Sequence, residues 1–140
     1  MKRKEPHASR EEFNQRVIHY PDVPLVELVA GSKSHIVSTE NITVSFLTQE
    51  PNAYFPPHRH EAEQVMIVVD GEQDEIVEGK LYHLKKGDVI TLPSNIEHGG
   101  YIPETGCKAI DIFSPPRNDL VAKLKEALSS QDVVHGNCDV

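Results

Sequence analysis

Short β-branched or alternating stretches, each closed by a turn signal within about ten residues, run through most of this 140-residue chain and leave few architectures open. Residues 25–29 form an apolar run after Pro21 and Pro24, closed by Gly31. Residues 42–48 (ITVSFLT) alternate and stop at Gln49-Glu50-Pro51-Asn52. Residues 53–59 follow, interrupted by Pro56-Pro57, and then 63–69, where Asp70-Gly71 reads as a hairpin turn. Runs at 75–77, 80–84 and 89–92 are separated by Glu78-Gly79 and by Lys85-Lys86-Gly87-Asp88; 98–102 and 107–113 complete the series. Roughly eight to ten strands without a βα alternation point to an antiparallel sandwich or barrel.

Around that body the pattern predicts a polar arm or short docking helix over 1–16, a barrel over 17–116, a helix over 117–130 and a frayed tail over 131–140. The helix follows Pro115-Pro116, with Asn118 or Asp119 as its cap. Its apolar stripe is Leu120, Val121, Leu124 and Leu128, expected to pack on the outside of the sheets.

Composition narrows the function. Hydrophobic residues are 38% and charged residues 26%, enough for one buried core. A net charge of −8 argues against nucleic acid or an anionic membrane as partner. No apolar run reaches the roughly 18 residues of a membrane span, and no apolar stretch follows the basic start MKRK, so the opening does not read as a signal peptide. Two cysteines, Cys107 and Cys138, lack CxxC spacing; a reducing cytoplasm is the expected setting.

Eight histidines are the unusual count. His58 and His60, at i and i+2 on extended chain, share a face, and Gln64 has the same parity provided that no bulge intervenes. Imidazoles converging in an interior read as ligands for zinc, nickel, copper or iron, because a lone buried imidazole needs partners for its nitrogens. His98 lies beyond a strand and a tight turn in Gly87-Asp88-Val89-Ile90-Thr91-Leu92-Pro93-Ser94-Asn95-Ile96-Glu97-His98. His7, His19, His35, His83 and His135 fall outside these segments and read as surface or packing residues. The acidic group Asp70, Glu72, Asp74, Glu75 and Glu78 reads as a solvated hairpin without EF-hand spacing.

The HxHxxxQ segment with Gly71, and Gly87…Pro93-x-Asn95-x-x-His98, together resemble the two motifs of the cupin superfamily over about residues 42–113. That resemblance implies an all-β jelly-roll barrel with a divalent transition metal (Zn, Ni, Fe or Mn) held by His58, His60, Gln64 and His98. Gln64 stands where these motifs usually carry Glu, and Asn95 where they carry Gly; Asn tolerates the left-handed backbone such a turn needs. Four neutral ligands leave the ion its full double charge, which favours Lewis-acid work on an anion over oxygen chemistry. The alternative role for Gln64 is to hydrogen-bond a ligating histidine.

On the run 107–113 the odd residues are Cys107, Ala109, Asp111 and Phe113, and parity alone leaves open which face is interior. Asp111, Phe113 and Arg117 match an Asp-x-Phe-x-x-x-Arg pattern of the KdgF-type cupins, which linearise unsaturated monouronates from pectin and alginate. The resemblance implies Asp111 and Arg117 as catalytic residues, with Arg117 and Phe113 binding a small acidic sugar. In the chemistry that the resemblance implies, Asp111 would shuttle a proton, Arg117 would take the carboxylate and Phe113 would form an apolar wall. Plainer roles also fit: a structural Asp111–Arg117 pair, and Phe113 as core. The rival readings are another cupin metalloenzyme, either a dioxygenase or a sugar isomerase, and a non-catalytic small-molecule-binding cupin. A homodimer is expected from the resemblance.

Overall fold

Among the described residues, nine antiparallel strands bear out the jelly-roll barrel. The computed structural model describes the backbone of residues 1–138 and the side-chain surroundings of residues 1–130. The strands are β1 (Leu25–Val29), β2 (Ser32–Ser38), β3 (Thr43–Gln49), β4 (Tyr54–His58), β5 (Glu63–Val77), β6 (Lys80–Lys85), β7 (Val89–Leu92), β8 (His98–Tyr101) and β9 (Cys107–Ser114). They pair in the order β1-β2-β3-β9-β5-β8-β4, with β6 and β7 also on β5. The N-terminal segment contains a short exposed helix, α1 (Arg10–Arg16), begun by a Ser9–Glu12 capping box. Among the described residues no helix is long and apolar enough to cross a membrane.

The 15-residue β5 corrects the sequence reading at Asp70-Gly71. No hairpin forms there. The strand continues, with a register shift against β9 between Val68 and Asp70, and passes from one sheet to the other. Gly71 takes φ 75°, and a Cβ on it would stand 2.1 Å from the Gly106 carbonyl oxygen. The glycine therefore serves a bend at close backbone approach rather than a chain reversal. The true two-residue hairpin is at Glu78-Gly79, both with positive φ, joining β5 to β6.

Strand β2 has no counterpart in the pattern read above, because its inward face carries two serines before Ile36. Ser32 and Ser34 are fully buried, yet Ser32 donates to Gln49 and Ser34 pairs with Ser45 across the sheet. Buried hydroxyls with partners disguise an interior strand as a loop.

Helix α2 (Asn118–Cys138) begins one residue later than expected and continues past 130, where a tail was expected. The Val121 amide bonds to the Arg117 carbonyl, so Arg117 rather than Asn118 or Asp119 occupies the cap position. The side chains of His135 and Cys138 lie outside the described residues. The helix also packs on the other side of the sheet from that expected. Leu120 sits in a cluster with Val26, Ile36 and Phe113 of the inner face and with Ala62 of the loop before β5, with Leu124 against it, so α2 lies over the rim of the cup. A second cluster of Leu47, Ala53, Met66, Val68, Leu84, Ile102, Cys107 and Ala109 fills the other end. Between them lies a cavity of about 300 Å³, at the small end of ligand pockets.

Candidate metal centre

Three imidazoles meet beside this cavity, and two of them, His58 and His98, line it. His58 ends β4, His60 stands in the loop to β5, and His98 opens β8, where it pairs with His58 across the sheet. The two loops carrying the motifs are pinned together. Asn95, with φ 65°, donates its amide to the His60 carbonyl at 2.8 Å, and Arg59 donates to the Asn95 carbonyl at 2.9 Å. The expected left-handed turn at Asn95 is therefore present.

Each ring has its Nδ1 against a backbone carbonyl two residues away: His58 on Pro56 at 2.8 Å, His60 on Ala62 at 2.8 Å, His98 on Ile96 at 2.9 Å. Carbonyls only accept, so each Nδ1 carries the ring proton and each Nε2 presents a lone pair. One nitrogen from each ring lies within 4.8 Å of the others, with ring centroids 4.3 to 5.7 Å apart. His98 Nε2 is buried with no hydrogen-bond partner. Burial lowers the affinity of His60 and His98 for a second proton, His98 to a pKa of about 4, with Arg117 and neighbouring imidazoles adding to it. Neutral, pre-oriented lone pairs with an orphaned nitrogen among them form a donor set that fits a divalent ion.

Gln64 is buried on β5 and its Oε1 lies 3.1 Å from His60 Nε2. An amide oxygen at that distance suits either a fourth ligand or a support for His60. The odd face of β9 is the interior one: Cys107, Ala109, Asp111 and Phe113 are all buried. Asp111 has a buried Oδ1 without a partner, and burial raises its carboxyl pKa to about 7, against the Gln64 hydrogen bond and the Arg117 charge. Phe113 packs edge-on to His60, centroids 5.6 Å apart, and the Arg117 guanidinium sits 4.9 Å over the Phe113 ring. Arg117 forms no ion pair with Asp111; its fork grips Asp119 through Nε at 2.9 Å and Nη2 at 2.7 Å. All of the residues singled out on 107–117 for chemistry, Asp111, Phe113 and Arg117, line the cavity.

Glu75 is the main correction at the site. Its place in a solvated acidic group was expected, but it is 3% exposed and lines the same cavity, with Gln73 and Gln49 beside it. Burial and the Asp111 charge push its pKa to about 8. The available signal was the glycine bend: after Gly71 the inward parity of β5 changes from Gln64, Met66 and Val68 to Gln73, Glu75 and Val77. Among the described residues the other histidines stay outside the cavity. His35 bonds the Val23 carbonyl beside Tyr20, and His83 lies between Asp74 and Glu72. Phe55 lines the cavity, whereas Tyr54 and Tyr101 stack on each other with exposed rings.

Residues 45–113 match the model of the cupin domain family. The pectin degradation protein KdgF of Dickeya dadantii (strain 3937) is 30% identical over 102 residues, covering 71% of this chain and 93% of that protein. This chain is a cupin. The solved structure of KdgF from Halomonas sp. superimposes with a TM-score of 0.67 at 28% identity, over 74% of this chain and 94% of that one. An RmlC-like cupin from Shewanella frigidimarina gives a TM-score of 0.67 at 27% identity, over 74% and 96%. This cupin thus resembles KdgF in sequence and in fold, and its three-histidine group suggests a divalent metal.

Proposed function

We propose that this cupin is a metal-dependent isomerase that opens the ring of a 4,5-unsaturated uronate, or of a closely similar acidic sugar. The observation that carries this reading is Asp111: a buried carboxyl, one oxygen unpartnered, lining one cavity with His58, His98 and the Arg117 guanidinium, the two imidazoles grouped with that of His60. His58, His60 and His98 would hold the ion, with Gln64 as fourth ligand, and a bound dication supplies electrostatic stabilisation of negative charge developing on oxygen.

The reaction is a net isomerisation. Loss of the anomeric hydroxyl proton, cleavage of the bond between C1 and the ring oxygen, and gain of a proton at C4 give a 5-keto acid with no co-reactant. Asp111 takes the hydroxyl proton and returns one to C4; a carboxyl raised to about 7 is balanced for both transfers near neutrality. Arg117 turns the free edge of its fork to the substrate carboxylate while Asp119 fixes the other edge. Phe113 holds the guanidinium from below and walls off water on that side.

The resemblance to KdgF, a pectin degradation protein, supports this substrate class. Proton NMR of an unsaturated monouronate with metal-loaded protein tests it: ring-form signals should disappear faster than with chelated protein. Asp111→Asn should lose about a hundredfold or more in turnover while keeping its metal. Unchanged turnover in that variant removes Asp111 from the reaction. Binding without any turnover favours the non-catalytic reading, and oxygen uptake with bound iron favours a dioxygenase.

A further inference from the structure

One inward position along β5 from the residue paired with His98, the cavity carries a polar strip that none of these roles uses. Gln49, Gln73 and Glu75 line it, each no more than 4% exposed. They form a directional chain. Ser32 Oγ donates to Gln49 Oε1 at 3.2 Å, Gln49 Nε2 donates to Gln73 Oε1 at 2.8 Å, and Gln73 Nε2 reaches Glu75 Oε1 at 3.5 Å. Each amide is oriented by the one before it, so the free hydrogen-bonding capacity collects at the carboxyl. The long contact from Gln73 is the one side-chain hydrogen bond that Glu75 makes among the described residues. Gly100 leaves space for the carboxyl: a Cβ there would stand 2.5 Å from Glu75 Oε1. Leu47 and Met66 line the same cavity, so a polar strip shares it with an apolar surface, an arrangement that suits a ring bearing hydroxyls along one edge.

A buried carboxyl with one long hydrogen bond costs stability unless a ligand completes it. We infer that Glu75, oriented by Gln73 and Gln49, is a hydroxyl-reading subsite that binds the substrate at the end remote from the carboxylate held by Arg117. The inference deepens the acidic-sugar reading and rests on it for the substrate class. It assigns Glu75 to substrate selection, with Gln73 and Gln49 as positioning residues.

The test is calorimetric titration of the metal-loaded full chain with D-galacturonate and with tetrahydropyran-2-carboxylate, which lacks the ring hydroxyls. The wild type should prefer the uronate by about tenfold or more, because a site built for hydroxyls is left unpaired by the bare ring. Glu75→Ala should cut the preference to about threefold or less while leaving affinity for the bare ring carboxylate within about twofold. Glu75→Gln, which keeps a donor and an acceptor, should restore it, and Gln73→Met should narrow it as Glu75→Ala does. The Gln73 variant carries the test if Glu75→Ala does not fold. No preference in the wild type, or an undiminished preference in folded Glu75→Ala or Gln73→Met, overturns the subsite. Turnover is a separate readout. Absence of ring opening with the hydroxyl preference intact removes the isomerase reading and leaves the subsite standing; ring opening with an undiminished preference overturns the subsite alone.

Discussion

Exchanging Glu75 for glutamine should make the chelated protein less sensitive to alkali. The Glu75 carboxyl has an ordinary pKa of 4.5 in the unfolded chain and about 8 when buried beside Asp111. Between those values the folded state holds a proton that the unfolded state has released. Its contribution to stability is therefore complete below about pH 4.5 and is lost as pH rises through 8. Each pH unit in the window is worth 1.36 kcal/mol, so the whole interval amounts to about 5 kcal/mol at most. The part between pH 6 and 8 is about 2 kcal/mol once half-titration at pH 8 is allowed for. A change of that size moves the melting midpoint of a domain this long by about 6 to 8 °C. Urea and thermal melts of the EDTA-treated wild type and Glu75→Gln, at half-unit steps from pH 5 to 9, measure it. The other titrating groups are common to both proteins and largely cancel in the difference. The stability of the wild type relative to the variant should fall by about 2 kcal/mol from pH 6 to 8. Parallel curves would refute the claim that Glu75 is a buried, protonated acid.

Zinc or nickel added to chelated wild type at a thousandfold excess over its dissociation constant should stabilise the fold by about 4 kcal/mol, and His98→Ala should abolish most of that shift. Melting that ignores both ions would sink the metal centre. Gly71→Ala should cost about 3 kcal/mol or more in chemical denaturation, or fail to fold, since its Cβ would meet the Gly106 carbonyl; Gly79→Ala, with open space around it, should cost about 1 kcal/mol. Equal costs would contradict the close approach at the bend. Phe113→Ala should lower stability by about 3 to 4 kcal/mol, because the ring is 2% exposed among Val26, Ile36, Ala62 and Leu120. A loss under about 1 kcal/mol in the same denaturation assay would show that the ring is not core.

Local periodicity made much of this molecule legible. The runs at 25–29 and 89–92 coincide with β1 and β7, five others begin and end within one residue of observed strands, and those at 63–69 and 75–77 mark the two ends of β5. Spacing placed His58 and His60 on one face, because i and i+2 on extended chain share a direction, and the resemblance to the two cupin motifs added His98. The same logic put Asp111 and Phe113 on one face. Where the reading failed, it failed on polar residues whose burial depends on distant partners. Ser32 and Ser34 look like loop residues until Gln49 and Ser45 cross from β3 to satisfy them.

The sequence by itself determined most of the strand pattern and the shared face of His58 and His60, since each follows from local periodicity; His98 was added by the resemblance of two separated motifs. Tertiary structure alone decided which face of β9 is interior, that α2 covers the inner side of the rim, and that Glu75 is a cavity residue. All three depend on strand pairing over long separations. The bend at Gly71, set by its close approach to Gly106, shifts the inward parity of everything after it on β5. A period of two tells which residues share a face; only the closed barrel tells which face meets water.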